Sequence, residues 1–133
     1  MIEFPYTKLN DISPIPALSI YLQNPKISDL STVFDCTILD TGSDLTIISY
    51  GIVSKLQLRP IDSEKSVVFR GLGQKSEGIP FRIRISFNRD NYITTRVIAV
   101  PDDVLNDEII IGRNILNRYL ITFNGPKLVF SIA

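Results

Sequence analysis

A mainly antiparallel all-β fold with one or two short helices is what the sequence predicts, on three observations. The first is alternation. Apolar and polar residues take turns over residues 17–22, 79–87 and 127–132, the period of a strand with one buried face. The second is punctuation. Asn24-Pro25, residues 88–91 and Asn124-Gly125-Pro126 separate such runs and read as turns. The third is the shortness of any helical pattern. Ile52, Val53 and Leu56 fit one or two helical turns that end before Pro60.

Each element follows in order. Ile2, Phe4 and Tyr6 alternate with Glu3 and Pro5 and read as an edge strand open to pairing with a second subunit. Pro14 and Pro16 mark a loop before the strand at 17–22. Residues 31–39 form the strand that leads to Asp40, and residues 46–49 a short apolar continuation. Residues 66–69 and 79–87 read as the arms of a long hairpin whose tip carries glycine. Gly71 and Gly73, flanking Leu72, compete with Gly78 for the tip. Residues 92–100 form a strand of mixed faces. Asp102, Asp103, Asp107 and Glu108 mark a solvated acidic loop, since their spacing does not match a calcium loop. The run 109–111 is a buried strand, a helical turn follows through Leu116 and Tyr119, and residues 120–123 and 127–132 make a terminal hairpin. No internal repeat stands out.

With 133 residues, 44% of them apolar, the chain makes one domain, residues 1–133, with enough hydrophobic material for a core. Fourteen basic residues balance 14 acidic ones, which argues against the basic face that nucleic acid requires. No apolar run reaches membrane-spanning length. Met1-Ile2-Glu3-Phe4-Pro5 lacks the pattern of a signal peptide. One cysteine, Cys36, cannot form an internal disulfide, so the cytosol is the expected compartment and Cys36 a small core residue. The chain has no histidine. Ser-His-Asp and Cys-His mechanisms are therefore excluded, and no zinc site is expected. There is no phosphate loop of the Gly-x-x-x-x-Gly-Lys type. Carboxylates remain as the groups able to carry hydrolysis, and neither metal nor cofactor is expected.

One carboxylate is placed distinctively. Ile38 and Leu39 run into Asp40-Thr41-Gly42-Ser43-Asp44, and Leu45-Thr46-Ile47-Ile48-Ser49 runs out. An acid at the mouth of an apolar strand is a candidate for general acid/base work. Gly42 is free to take positive φ and to let a substrate backbone approach. The plainer reading is that Asp40 closes a turn, since Asp, Thr, Gly and Ser are all turn formers. The second half of the chain shifts the balance: Ile109-Ile110-Ile111-Gly112-Arg113-Asn114-Ile115-Leu116 is another buried run broken at glycine. Together the two motifs, in this order and spacing, resemble the retropepsins, the aspartic proteases of retroviral type. The likeness spans about residues 17–123, most of the chain.

The resemblance implies a closed-barrel acid-protease fold and an aspartic endopeptidase, a hydrolase acting on peptide bonds. Only one Asp-Thr-Gly is present, so the resemblance implies a homodimer in which each chain gives one Asp40. It implies that the Thr41 hydroxyl crosses the twofold axis and that Gly42 offers its carbonyl to a peptide or protein substrate. Ser43 occupies a position that is often Ala or Ser in the family. Asp44 and Arg113 would pair, and Gly112 would pack closely beside the loop. Gly71, Leu72 and Gly73 would belong to a flap over the substrate, with Leu72, Ile79 and Ile48 as candidate subsite residues. The terminal hairpin departs from many viral members, which stop soon after the helix. Met1 and the absence of a low-complexity flank point to a stand-alone gene of bacterial type. The competing classes are a catalytically silent dimerisation or peptide-binding module and a plain β-domain with a scaffold role.

Overall fold

The computed structural model describes residues 1–9, 11–61, 65–71, 74–105 and 108–133. In chain order its elements are β1 (Ile2–Pro5), β2 (Ala17–Gln23), β3 (Ser31–Leu39), β4 (Ile47–Ser49), α1 (Tyr50–Lys55), β5 (Val67–Gly71), β6 (Gln74–Ser86), β7 (Ile93–Val100), α2 (Asp102–Leu105), β8 (Ile109–Ile111), α3 (Arg113–Leu116), β9 (Ile121–Asn124) and β10 (Val129–Ile132). Seven strands join in the order β2-β3-β8-β4-β7-β6-β5, and β2 pairs again with β6, Tyr21 opposite Ser86. That second pairing closes a barrel and leaves β5 outside it. Closure satisfies backbone groups that an open sheet would leave exposed.

Alternation fills the barrel. Ile20 and Leu22 of β2, Ile83 and Ile85 of β6, Val97 and Ala99 of β7, and Ile109 and Ile111 of β8 are each exposed by 1% or less. Each large aliphatic chain so buried contributes about 1.5–3 kcal/mol. β7 reads as mixed because both of its faces are covered at one end. Val97 and Ala99 join the main core, while Val100 packs with Ile47 and Leu105 in a second cluster.

Leu105 also explains a departure from the expected acidic loop. Residues Asp102–Leu105 form the helical turn α2, because Leu105 has an apolar seat against Ile47 and Val100. Asp102 and Asp103 stay exposed, and Asp102 accepts a 2.9 Å bond from the Gly51 amide in the first turn of α1. Gly78 is a second departure. It lies well inside β6, opposite Val67, rather than at a hairpin tip. An added Cβ there would come within 2.3 Å of Ile98 Cγ2 and 2.8 Å of the Ala99 carbonyl, so the glycine lets β6 press against β7. The β5–β6 ladder extends to Gly71 opposite Gln74. Leu72 and Gly73, expected in the flap, lie outside the described residues.

The chain's two ends meet. β1, β10 and β9 form a separate three-stranded sheet with β10 in the middle. Phe4, Phe130 and Phe123 stand in one cross-strand row, with ring centroids 5.2 Å apart for Phe4–Phe130 and 6.3 Å for Phe123–Phe130. Phe130 is 1% exposed and ties this sheet to the main core. The first strand therefore pairs within its own chain along one edge. Among the described residues, no helix is long and apolar enough to cross a membrane.

Candidate active site

Asp40 follows β3 directly. Its amide donates to the Ile111 carbonyl at 2.9 Å, continuing the parallel ladder in which Leu39 faces Ile111. The loop beyond it turns back to β4, which meets β8 antiparallel at Ile47↔Ile110 and β7 in parallel. β8 thus lies between the two strands that the Asp40 loop connects. Such a loop is held at both ends and cannot slide without breaking two ladders.

Within the loop, one Asp40 carboxylate oxygen, Oδ1, accepts from the Gly42 amide at 2.9 Å, and the Asp40 carbonyl accepts from the Ser43 amide at 3.2 Å. The Ser43 hydroxyl donates to the Leu45 carbonyl at 2.7 Å. Asp40 is half-buried, while Thr41, Gly42 and Asp44 are exposed. Gly42 does not take positive φ. Its constraint is proximity instead, since a Cβ would stand 3.1 Å from Asp40 Oδ1.

α3 grips this loop from below. The Arg113 amide donates to the Ser43 carbonyl at 2.8 Å, its guanidinium Nη1 donates to the Thr41 carbonyl at 2.8 Å, and Nη2 forms an ion pair with Asp44. The Arg113 and Asp44 side chains are 41% and 78% exposed, and an ion pair so hydrated adds about 0–1 kcal/mol. Arg113→Ala is accordingly expected to lower unfolding stability by less than about 1 kcal/mol. Its larger effect falls on the loop, which loses a donor to Thr41, and chemical denaturation measures the stability change.

Two residues without an assigned role in the sequence reading prove central. Thr46 is 0% exposed. Its hydroxyl accepts from the Gly112 amide at 3.1 Å and donates to Asn114 Oδ1 at 2.8 Å, and Asn114 Nδ2 donates to the Arg96 carbonyl at 2.9 Å. One hydroxyl thereby ties the residue before β4 to the β8–α3 junction and to α3, and through Asn114 to β7. The available signal was a lone Thr inside the apolar run 45–48, since a buried hydroxyl requires partners. Thr46→Val keeps the shape and removes the acceptor, leaving the Gly112 amide buried and unsatisfied. The expected loss is about 1–3 kcal/mol in chemical denaturation.

Gly112 itself sits against the backbone of Leu45. Ile48, a candidate subsite residue, is 0% exposed and belongs to the main core, so it cannot line a cleft in this chain; Ile79 is 38% exposed. Burial, with the Glu108 carboxylate second, pushes the Cys36 thiol above its ordinary range. That favours the neutral, unreactive form.

The arrangement presents one carboxylate at the edge of a rigid loop. A single carboxylate cannot serve as acid and base at once for water attack on an amide. No family model matches the chain, and no curated protein matches it. Among solved structures, the EIAV protease in complex with the inhibitor HBY-793 aligns over 84% of this chain and 93% of its own, with a TM-score of 0.54 and 20% identity. The chain has a retropepsin-like fold: mostly β, a closed barrel and few short helices.

Proposed function

We propose that this chain is one half of an aspartic endopeptidase, completed when a second copy brings its own Asp40 across a twofold axis. The observation that carries the reading is the Asp40 loop, pinned by Ile111, Gly112 and Arg113, on a fold shared with a retroviral protease. Two carboxylates about 3 Å apart cannot both ionise, so they hold one proton between them. The ionised one takes a proton from water as its oxygen attacks the amide carbon. The protonated one gives its proton to the carbonyl oxygen. The substrate is a peptide or protein segment bound in extended form, with the hairpin of β5 and β6 as its cover.

Incubation of the purified protein with a denatured protein from acid to near-neutral pH, with and without a pepstatin-type inhibitor, tests this. Inhibitor-sensitive cleavage is expected. A protein that assembles but leaves the substrate intact under all those conditions is a silent retropepsin-like module.

A further inference from the structure

A cavity of about 480 Å³ lies between the β2–β3 turn, the segment that leaves α1, and β6, and no residue of the Asp40 loop lines it. Its walls are fixed to one another. Asn24, 6% exposed, joins two of them. Its Nδ2 donates to the Leu56 carbonyl at 2.8 Å and the Gln57 carbonyl at 3.3 Å, at the end of α1, and its Oδ1 accepts from the Lys26 and Ile27 amides at 2.8 and 3.1 Å. Gln57 closes α1 at φ 51°, in the left-handed region where glycine is the usual residue. That turn, with the Leu58 amide on the Val53 carbonyl at 3.0 Å, sends Leu58 into the core and Arg59 out to the cavity. β6 supplies the third wall. Pro60 bridges to Phe81, the Ile61 amide donates to the Pro80 carbonyl at 3.2 Å, and Arg82 stands outward between the buried Phe81 and Ile83.

Each wall brings one cation, Lys26, Arg59 and Arg82, and among the described residues no carboxylate lines the cavity. Three other arginines are engaged elsewhere: Arg84 with Gln23 and the Tyr92 ring, Arg89 with the Tyr21 ring, Arg113 with Thr41 and Asp44. Lys26, Arg59 and Arg82 make no such contact among the described residues. Like charges converging on one cavity repel one another until an anion joins them. Between the cations the lining is apolar: Pro25, Pro60 and Ile27, the last 49% exposed, offer hydrocarbon to a ligand. The volume falls in the range of about 300–1,000 Å³ that takes small organic ligands.

We propose that this cavity binds a small organic oxyanion, its doubly charged head held by Lys26, Arg59 and Arg82 and its apolar body resting against Pro25, Ile27 and Pro60. A phosphate monoester and a dicarboxylate both supply that chemistry. A guanidinium offers paired donors to two oxygens of either head, and Lys26 adds a point charge. Both parts of the ligand are needed. A bare inorganic anion leaves the apolar lining wet, and an uncharged ring leaves the three cations unpaired. The site stands apart from the endopeptidase reading, because it shares no residue with the Asp40 loop.

Calorimetric titration of the whole protein with phenyl phosphate and with phthalate tests the site, with inorganic phosphate and benzyl alcohol as controls. At least one of the two aromatic anions is expected to bind about fivefold or more tightly than inorganic phosphate, the gain from burying part of a ring, while benzyl alcohol gives no heat of binding. The tighter of the two identifies the head group. Arg59→Gln with Arg82→Gln is expected to weaken binding by about tenfold or more, through the loss of charge-assisted bonds. Arg89→Gln, which removes a positive charge outside the cavity, is expected to leave it unchanged. Circular dichroism checks that each variant folds; if the double variant does not, Lys26→Gln, at an exposed turn position, decides by a loss of about fivefold. No binding of either aromatic anion at millimolar concentration, equal affinity for inorganic phosphate, undiminished binding in a folded Arg59/Arg82 variant, or an equal loss in Arg89→Gln overturns the proposal.

Discussion

Asp40→Asn is expected to reduce peptide-bond cleavage by a thousandfold or more while leaving the fold and the proposed dimer intact. General acid/base catalysis by a positioned side chain accounts for about 10²–10⁴ in rate, and in a symmetric dimer both copies are altered at once. The substitution is nearly isosteric. Asn retains an acceptor oxygen for the Gly42 amide that Asp40 Oδ1 now binds at 2.9 Å. The amide to Ile111 and the carbonyl to Ser43 are backbone groups, untouched by the change. Unfolding stability is therefore expected to move by no more than about 0.5 kcal/mol. Mixing wild-type with excess Asp40→Asn chains sharpens the test, because a heterodimer holds one carboxylate and turns over nothing. Activity that falls only in proportion to the dilution of wild-type chains would show that each chain works alone.

Gly112→Ala is expected to have the largest effect on stability of the glycine-to-alanine changes among the described residues. An ideal Cβ at Gly112 would lie 2.2 Å from the Leu45 carbonyl oxygen, 2.5 Å from its carbonyl carbon and 2.9 Å from its amide nitrogen. All three are backbone atoms, so no rotamer change relieves the contact. Gly112 has φ −96°, an ordinary value for any residue, and the whole cost is steric. Either β8 withdraws from the loop, breaking the Gly112–Thr46 and Arg113–Ser43 bonds, or the Asp40 loop shifts as a body. Overpacking of this severity costs about 3 kcal/mol, which lowers Tm by roughly 10 °C in a domain of this size. Thermal unfolding measures it, and a Tm within two degrees of wild type, or about 0.5 kcal/mol, would mean the loop and β8 are not packed as described.

The sequence carried the strands best where one face met the core and the other met water. β2 and the second half of β6 alternate plainly because Ile20, Leu22, Ile83 and Ile85 point into the barrel while Ser19, Arg82 and Arg84 do not. β7 was harder, because a second cluster around Val100 buries its outer face and erases the period. α2 is not legible in the sequence for the same reason. One buried Leu105 outweighs four surrounding acids, and no local pattern announces where its seat is. The barrel's closure through β2 and β6 joins residues more than sixty positions apart, such as Tyr21 and Ser86, and reached the sequence reading only through the family resemblance.

The site shows the same division. Asp40, Asp44 and Arg113 belong to short motifs and are visible as such. The linking role of Thr46 is not, because it exists only when β4 and β8 lie side by side. Gly42 and Gly112 look alike in sequence as glycines beside turns. In the fold neither is needed for positive φ; one spares the Asp40 carboxylate and the other admits the Leu45 backbone.

A crystal structure of the assembled protein tests the central claim most directly, through the distance between the two Asp40 carboxyl groups. Carboxylates about 3 Å apart across a twofold axis, close enough to hold one proton between them, are the predicted result. An assembly that leaves the two acids beyond the span of a bridging water would contradict the account.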